Sequence, residues 1–281
     1  MEDSGWLVRG VSVDGSVRVL GVRVADAAER IRRAHGLSPG AARLAAEGLV
    51  ATALLAAFVK GKERLTLQVQ SRAPACAFMG DIDGEGHVRG RFSPQYMPVG
   101  TVELDGALLA IKTDGAHEVY RGVTEVRQVT LADALAEHMR QSAQVEAELR
   151  VMVSQTVDGA IRDAGGVYLE RLPGPTPEVP PAPLSATFEG VDGDELLDQL
   201  ALGLFGDWGL RAMEQRPLVW RCTCSVQRVH AMLFTLGADE LADMLAKDGQ
   251  GEVTCEFCAT RYVVSADDLR ALEARARVNE A

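Results

Sequence analysis

"RCTCS" (221–225) and "TCEFCATRY" (254–262) hold four of the chain's five cysteines, as Cys222-x-Cys224 and Cys255-x-x-Cys258. Two tight pairs near one end of a chain otherwise poor in cysteine are a metal or redox signature more often than a disulfide framework. The residues around them predict a small α+β unit. Ser225 can cap a helix carrying Val226, Val229, Leu233 and Leu236, and "ADELADMLAKDG" (238–249) predicts a second helix ending at Gly249. "QGEVTCEFCATRYVV" (250–264) predicts strand, tight turn, strand, and Ser265-x-x-Asp268 opens a last helix. A unit of about 60 residues buries too little apolar surface to be robust alone and calls for a staple.

Four thiolates suit a single Zn²⁺: soft ligands, tetrahedral, with no position left for a substrate water. The expected ligands are therefore Cys222, Cys224, Cys255 and Cys258. A thioredoxin-like dyad at Cys255-x-x-Cys258 would need a helix starting at the first cysteine, whereas here a strand follows the second. His230 could be offered as a fifth ligand, but four thiolates close the shell, so it reads as a surface or outer-layer residue. His35, His87, His117 and His138 lack ligand spacing, and Cys76 in "PACAFMG" reads as a buried strand residue and not a nucleophile. Thiolates held ready by a metal are open to two-electron oxidants, and oxidising either pair removes two ligands of four. Structural zinc supplies on the order of 10–16 kcal/mol of coupled folding free energy, so its loss would unfold the unit. The cysteines can thus act as a switch.

Residues 1–172 predict an α+β core domain with antiparallel sheets. Asp14-Gly15 punctuates a hairpin between Val11 and Val22, and "RLTLQVQ" (64–70) and "ELRVMVSQ" (148–155) alternate as half-buried strands. Ala41–Phe58 is apolar nearly all round, which predicts a core helix, and Thr130–Ser142 predicts an amphipathic helix with Thr130-x-x-Asp133 as its capping box. The glycines of "GDIDGEGHVRG" (80–90) fall in a turn between strands and not before a helix, so they form a poor phosphate loop. Residues 173–183 hold six of the chain's eleven prolines and open a linker region, 173–220. Within it "DGDELLDQLALGLFGDWG" (192–209) predicts a marginal helix weakened by glycines. The C-terminal domain is expected over 221–281.

The formal net charge of −11 opposes a nucleic-acid partner. From 222 onward ten Asp/Glu face six Lys/Arg, so the cysteine-rich part gives no relief. The longest apolar run, 48–59, is too short to span a bilayer, and the acidic opening residues carry no signal-peptide pattern; a cytoplasmic protein without a membrane partner is expected. No carboxylate pair or Ser/His/Asp set stands out, which predicts a non-enzyme.

The Cys-x-Cys, thirty residues, Cys-x-x-Cys arrangement resembles the thirty-three-kilodalton heat-shock protein family of redox-regulated holdase chaperones. "CTCS" (222–225), "LADMLAKDGQGEVTCEFCATRYVVSADDL" (241–269), "LVATALLAAFVKGKERLTLQVQS" (49–71) and "VYRGVTE" (119–125) resemble family blocks in family order. Two departures stand out. Val226-Gln227 replaces the Arg-Glu that typically follows the first pair, and Ser142-Ala143-Gln144 replaces a Ser-Glu-Gln stretch. The first removes a charge pair beside the cysteines and bears on the trigger threshold.

The resemblance implies an ATP-independent chaperone that is zinc-bound, one ion per chain, and inactive when reduced. Oxidation would form Cys222–Cys224 and Cys255–Cys258 disulfides, release zinc and unfold the linker. The active form, a homodimer in this reading, would hold unfolding client proteins. Leu196, Leu197, Leu200, Leu204, Phe205 and Trp208 are expected to become accessible for client binding. The alternative is a constitutive zinc-stapled adaptor, and a thiol oxidoreductase stands third.

Overall fold

In the computed structural model, residues 5–13, 15–143, 147–172, 204–205 and 208–280 are described. The chain divides into two compact units, 1–221 and 222–281.

The first unit is built on two six-stranded sheets. One has the order β10-β11-β1-β2-β9-β8, from β1 (Trp6–Ser12), β2 (Val17–Arg23), β8 (Ala147–Gln155), β9 (Ile161–Arg171), β10 (Leu204–Phe205) and β11 (Trp208–Pro217). The other has the order β12-β5-β4-β3-β6-β7, from β3 (Glu63–Arg72), β4 (Ala75–Asp83), β5 (His87–Ser93), β6 (Leu104–Asp114), β7 (His117–Val129) and β12 (Val219–Trp220). All the pairings are antiparallel except that of β12 on β5. The alternation read at 64–70 is visible in β3, where Leu65, Leu67 and Val69 are buried.

The helices are α1 (Ala25–His35), α2 (Pro39–Leu54), which runs on through a 3-10 turn at Leu55–Phe58, and α3 (Leu131–Ala143). The even apolarity of α2 has a direct cause: it packs on β2, β8 and β9 of one sheet and on β3, β4 and β5 of the other, and only the stripe of Pro39, Arg43 and Glu47 is partly open to water. Thirteen of its sixteen residues are buried. By length and hydropathy Pro39–Phe58 could cross a membrane, but here it forms the centre of the core. Its start lies two residues before the expected one. The Ser38 hydroxyl accepts from the Ala41 N–H, with Pro39 at the first helical position. Gly48 lets Phe78 approach: a Cβ there would lie 2.6 Å from the Phe78 ring. The Thr130 hydroxyl accepts from the Asp133 N–H, the first bond of the expected capping box, and donates to the Asp133 carboxylate. Leu131, Leu135 and Met139 bury the inner face of α3.

One expectation is corrected. The helix read over 192–209 is not present at its described end: Leu204–Phe205 and Trp208–Gly209 are paired antiparallel strands. From Trp208 the chain runs on as β11 along β1, pairing Ser12 with Leu210 and Trp6 with Pro217. The apolar spacing of four is a local, marginal signal already weakened by glycine. The ladder offered by the edge of β1, distant in sequence, outweighs it.

The second unit holds α4 (Val226–Phe234), α5 (Ala238–Asp248), the hairpin of β13 (Gly251–Thr254) and β14 (Arg261–Val264), and α6 (Ala266–Glu280). Gly249 ends α5 in the left-handed conformation, and the Ser265 hydroxyl caps α6 with Asp268. Among the described residues its core is eight buried side chains, with Leu233, Leu241, Leu269 and Leu272 the largest.

Candidate metal centre

The two cysteine pairs sit on two different local devices. Cys222 and Cys224 lie on extended chain just before α4, where the Ser225 hydroxyl accepts from the Arg228 N–H at 3.2 Å. The Arg228 guanidinium returns to donate to the Thr223 hydroxyl, so the residue between the two cysteines is tied to the helix start. Cys255 and Cys258 lie on the turn that closes the β13–β14 hairpin. There the Cys255 N–H donates to the Thr260 carbonyl and the Ala259 N–H donates to the Cys255 carbonyl, both at 2.9 Å. Ala259 adopts φ 55°, a left-handed conformation that non-glycine residues adopt reluctantly. The turn curls the chain so that Cys255 and Cys258 face the same point.

That point is shared with the first pair. The ligand sulfurs of Cys222, Cys224, Cys255 and Cys258 all lie within 4.8 Å of one another. Cys222 Sγ is 3.6 Å from Cys255 Sγ, and Cys224 Sγ is 3.4 Å from Cys258 Sγ. A tetrahedral cation held ~2.3 Å from each sulfur would need S–S edges of roughly 3.8 Å. The set therefore has the spacing and the donor chemistry to hold one metal ion. Among the described residues it is the one group of at least three His, Cys, Asp or Glu ligand atoms so placed, and His230 is not part of it. Cys76 is far from this in character. It is half-buried on β4 opposite Ser71, and burial pushes its thiol up, away from reactivity.

The electrostatics show what the cluster lacks without a cation. Burial pushes Cys222 up to about 12 and raises Cys224, although the Tyr262 hydroxyl pulls Cys224 back. Burial also opposes ionisation of Cys258, but its hydrogen bonds to Thr260 and the neighbouring sulfurs bring it down to about 7. Sulfurs in mutual contact resist carrying four negative charges together, and a divalent cation removes that resistance.

Three contributions escaped the sequence reading. Thr223 and Thr260 brace the turns, and the Tyr262 hydroxyl donates to Cys224 Sγ at 3.0 Å. The visible signal for the last was an aromatic residue on the strand leaving the second pair, four positions past Cys258. At the departure from the family pattern, Val226 is 49% exposed and Gln227 is exposed, and the first turn of α4 carries Arg228 but no acidic residue. Of the residues expected to meet clients, Leu204 and Phe205 form β10 and Trp208 opens β11, while Leu196, Leu197 and Leu200 lie outside the described residues.

Comparison with known proteins finds relatives along nearly the whole chain. The family described as Hsp33 protein matches residues 6–265. The 33 kDa chaperonin of Syntrophotalea carbinolica is 31% identical over 286 residues, covering 95% of this chain and 98% of that protein. The 33 kDa chaperonin of Bacillus subtilis is 28% identical, covering 95% and 97%. The solved structure of the 33 kDa chaperonin (heat shock protein 33 homolog) from Thermotoga maritima superposes with a TM-score of 0.79 at 23% identity, covering 98% of this chain and 99% of that one.

Proposed function

The chain belongs to the Hsp33 family, and from that premise we propose that it is a redox-regulated, ATP-independent holdase chaperone. The single observation that carries this reading is the convergence of four cysteine sulfurs within 4.8 Å in a unit with a core of eight buried residues. In the reduced state Cys222, Cys224, Cys255 and Cys258 would hold one Zn²⁺. When bound, the ion supplies Lewis-acid stabilisation of four thiolates and much of the folding free energy of the unit.

Oxidation then acts on the chain's own sulfurs. Two thiolates give up two electrons to form one S–S bond. Hypochlorous acid takes those electrons with one proton and leaves as chloride and water. Disulfide sulfur is a poor ligand, so each bond removes two of the four positions that hold the ion. With so small a core, residues 221–281 would unfold and the linker region 173–220 would loosen, exposing apolar chain to clients. Resemblance to the family implies pairing within each motif, Cys222–Cys224 and Cys255–Cys258. The 3.6 and 3.4 Å contacts run across the motifs instead, so peptide mapping of oxidised protein distinguishes the two connectivities.

The partners in this reading are unfolding proteins, with a homodimer as the oxidised form. The protein acts in the cytoplasm and is a binding protein, not an enzyme. The deciding experiment is suppression of aggregation of a heat-unfolded client by reduced, zinc-loaded protein and by protein treated with hypochlorous acid. Suppression by the oxidised form alone is the expected result. Equal activity in both states, or none in either, would leave the cysteines as a staple and favour a constitutive adaptor.

A further inference from the structure

The four sulfurs are not equivalent, and the difference lies on β14. Tyr262 is half-buried, and its hydroxyl donates to Cys224 Sγ at 3.0 Å. The strand that carries Tyr262 pairs Val253 with Tyr262 and Thr254 with Arg261, next to the turn that carries Cys255 and Cys258. One rigid hairpin therefore supplies two of the four sulfurs and also a hydroxyl aimed at a third, on the other motif.

The geometry points to Tyr262 as a positioning residue that shields Cys224 and sets the oxidant threshold of the switch. The inference rests on the redox reading above and deepens it. Hypochlorous acid reacts at a sulfur lone pair. The thiolate attacks chlorine, the O–Cl bond breaks and hydroxide leaves, which takes up a proton to become water. A second cysteine thiolate then attacks the sulfenyl chloride, forming the S–S bond and releasing chloride. A hydrogen bond donated to the Cys224 thiolate draws on that same lone pair, and part of the bond must be given up before sulfur can attack. Hydrogen bonds to charged groups are the strong ones, so removing this one accelerates the first step by about three- to tenfold. The same bond fixes the orientation of the Cys224 side chain, as partners of metal ligands do.

The test is Tyr262→Phe, which keeps the ring and removes only the hydroxyl, compared with wild type and with Thr260→Val in full-length protein. Thr260→Val serves as the control because Thr260 Oγ1 lies 3.2 Å from Cys258 Sγ and not at Cys224. Cobalt(II) titration reports the sulfur environment directly through the sulfur-to-cobalt charge-transfer band, and its stoichiometry shows whether the variant folds. Substoichiometric hypochlorous acid followed by alkylation and mass mapping reports which cysteine reacts first. In Tyr262→Phe the band should move to longer wavelength, and loss of the Cys224 thiol should speed up about three- to tenfold. Thr260→Val should leave the Cys224 rate unchanged. An unchanged band and an unchanged Cys224 rate in a metal-binding Tyr262→Phe protein would overturn the inference and leave the switch reading intact. A wild-type protein that binds no cobalt, or that oxidant does not activate, would overturn both.

Discussion

Cys224 Sγ lies 3.4 Å from Cys258 Sγ, although the two residues are 34 positions apart in the chain. The contact joins a loop before a helix to the turn of a hairpin, and neither local device could place the sulfurs alone. Replacing one member should break the set. Cys258→Ser is expected to weaken zinc binding by at least about 100-fold, since even loss of a residue that only supports a ligand costs ~10–100-fold. Competition against a chromogenic chelator measures it, and unchanged affinity would remove Cys258 from the ligand set.

Acid sensitivity should centre on Glu29. Burial opposes its ionisation, but Arg32, the Ile161 N–H and Arg33 outweigh burial and hold the carboxyl at about 2, below its usual 4.5. A depressed carboxyl stabilises the fold fully above the unfolded value, and that contribution is lost as pH falls from 4.5 towards 2. Glu29→Gln should therefore lower stability near neutrality and flatten the acid limb of a urea midpoint-versus-pH curve in that window. A mutant curve parallel to wild type down to pH 2 would contradict this.

His138 loses stability in the same direction as pH falls, but because burial keeps it neutral. It is 2% exposed, its Nδ1 lies 2.9 Å from the Thr124 hydroxyl and its Nε2 3.3 Å from the Tyr120 hydroxyl, and burial lowers its pKa below 6.5. The unfolded chain then binds the proton more readily, so His138 leaves stability intact above pH 6.5 and reduces it progressively below. His138→Gln should lose ~1–3 kcal/mol at neutral pH through imperfectly replaced hydrogen bonds, and also lose part of the decline between pH 6.5 and 5. Chemical denaturation at several pH values separates the two effects.

Gly48 tests the packing of the central helix. By propensity alone Gly48→Ala should stabilise α2 by up to ~1 kcal/mol. The new Cβ would meet the Phe78 ring at 2.6 and 2.7 Å, inside the core. Overpacking should win, with a net loss of about 1–3 kcal/mol in the urea midpoint. A stabilised variant would mean that Phe78 can move aside.

Much of the molecule was legible in its residues because the signals were local. Ser225, Thr130-x-x-Asp133, Ser265-x-x-Asp268 and Gly249 mark helix ends through hydrogen bonds or backbone angles that involve only near neighbours. Alternation in β3 and the all-round apolarity of α2 report burial without naming what does the burying. The cysteine spacings belong here too, since chemistry limits what four such thiols can hold. What tertiary structure alone decided was every relationship between distant segments. It placed Leu204–Phe205 and Trp208–Gly209 in strands where local spacing over 192–209 favoured a helix, because a ladder with a distant edge outweighs a weak propensity. It set the Tyr262 hydroxyl against Cys224 and carried the contacts between sulfurs across the two motifs, because those distances depend on how the hairpin packs and not on any interval in the chain.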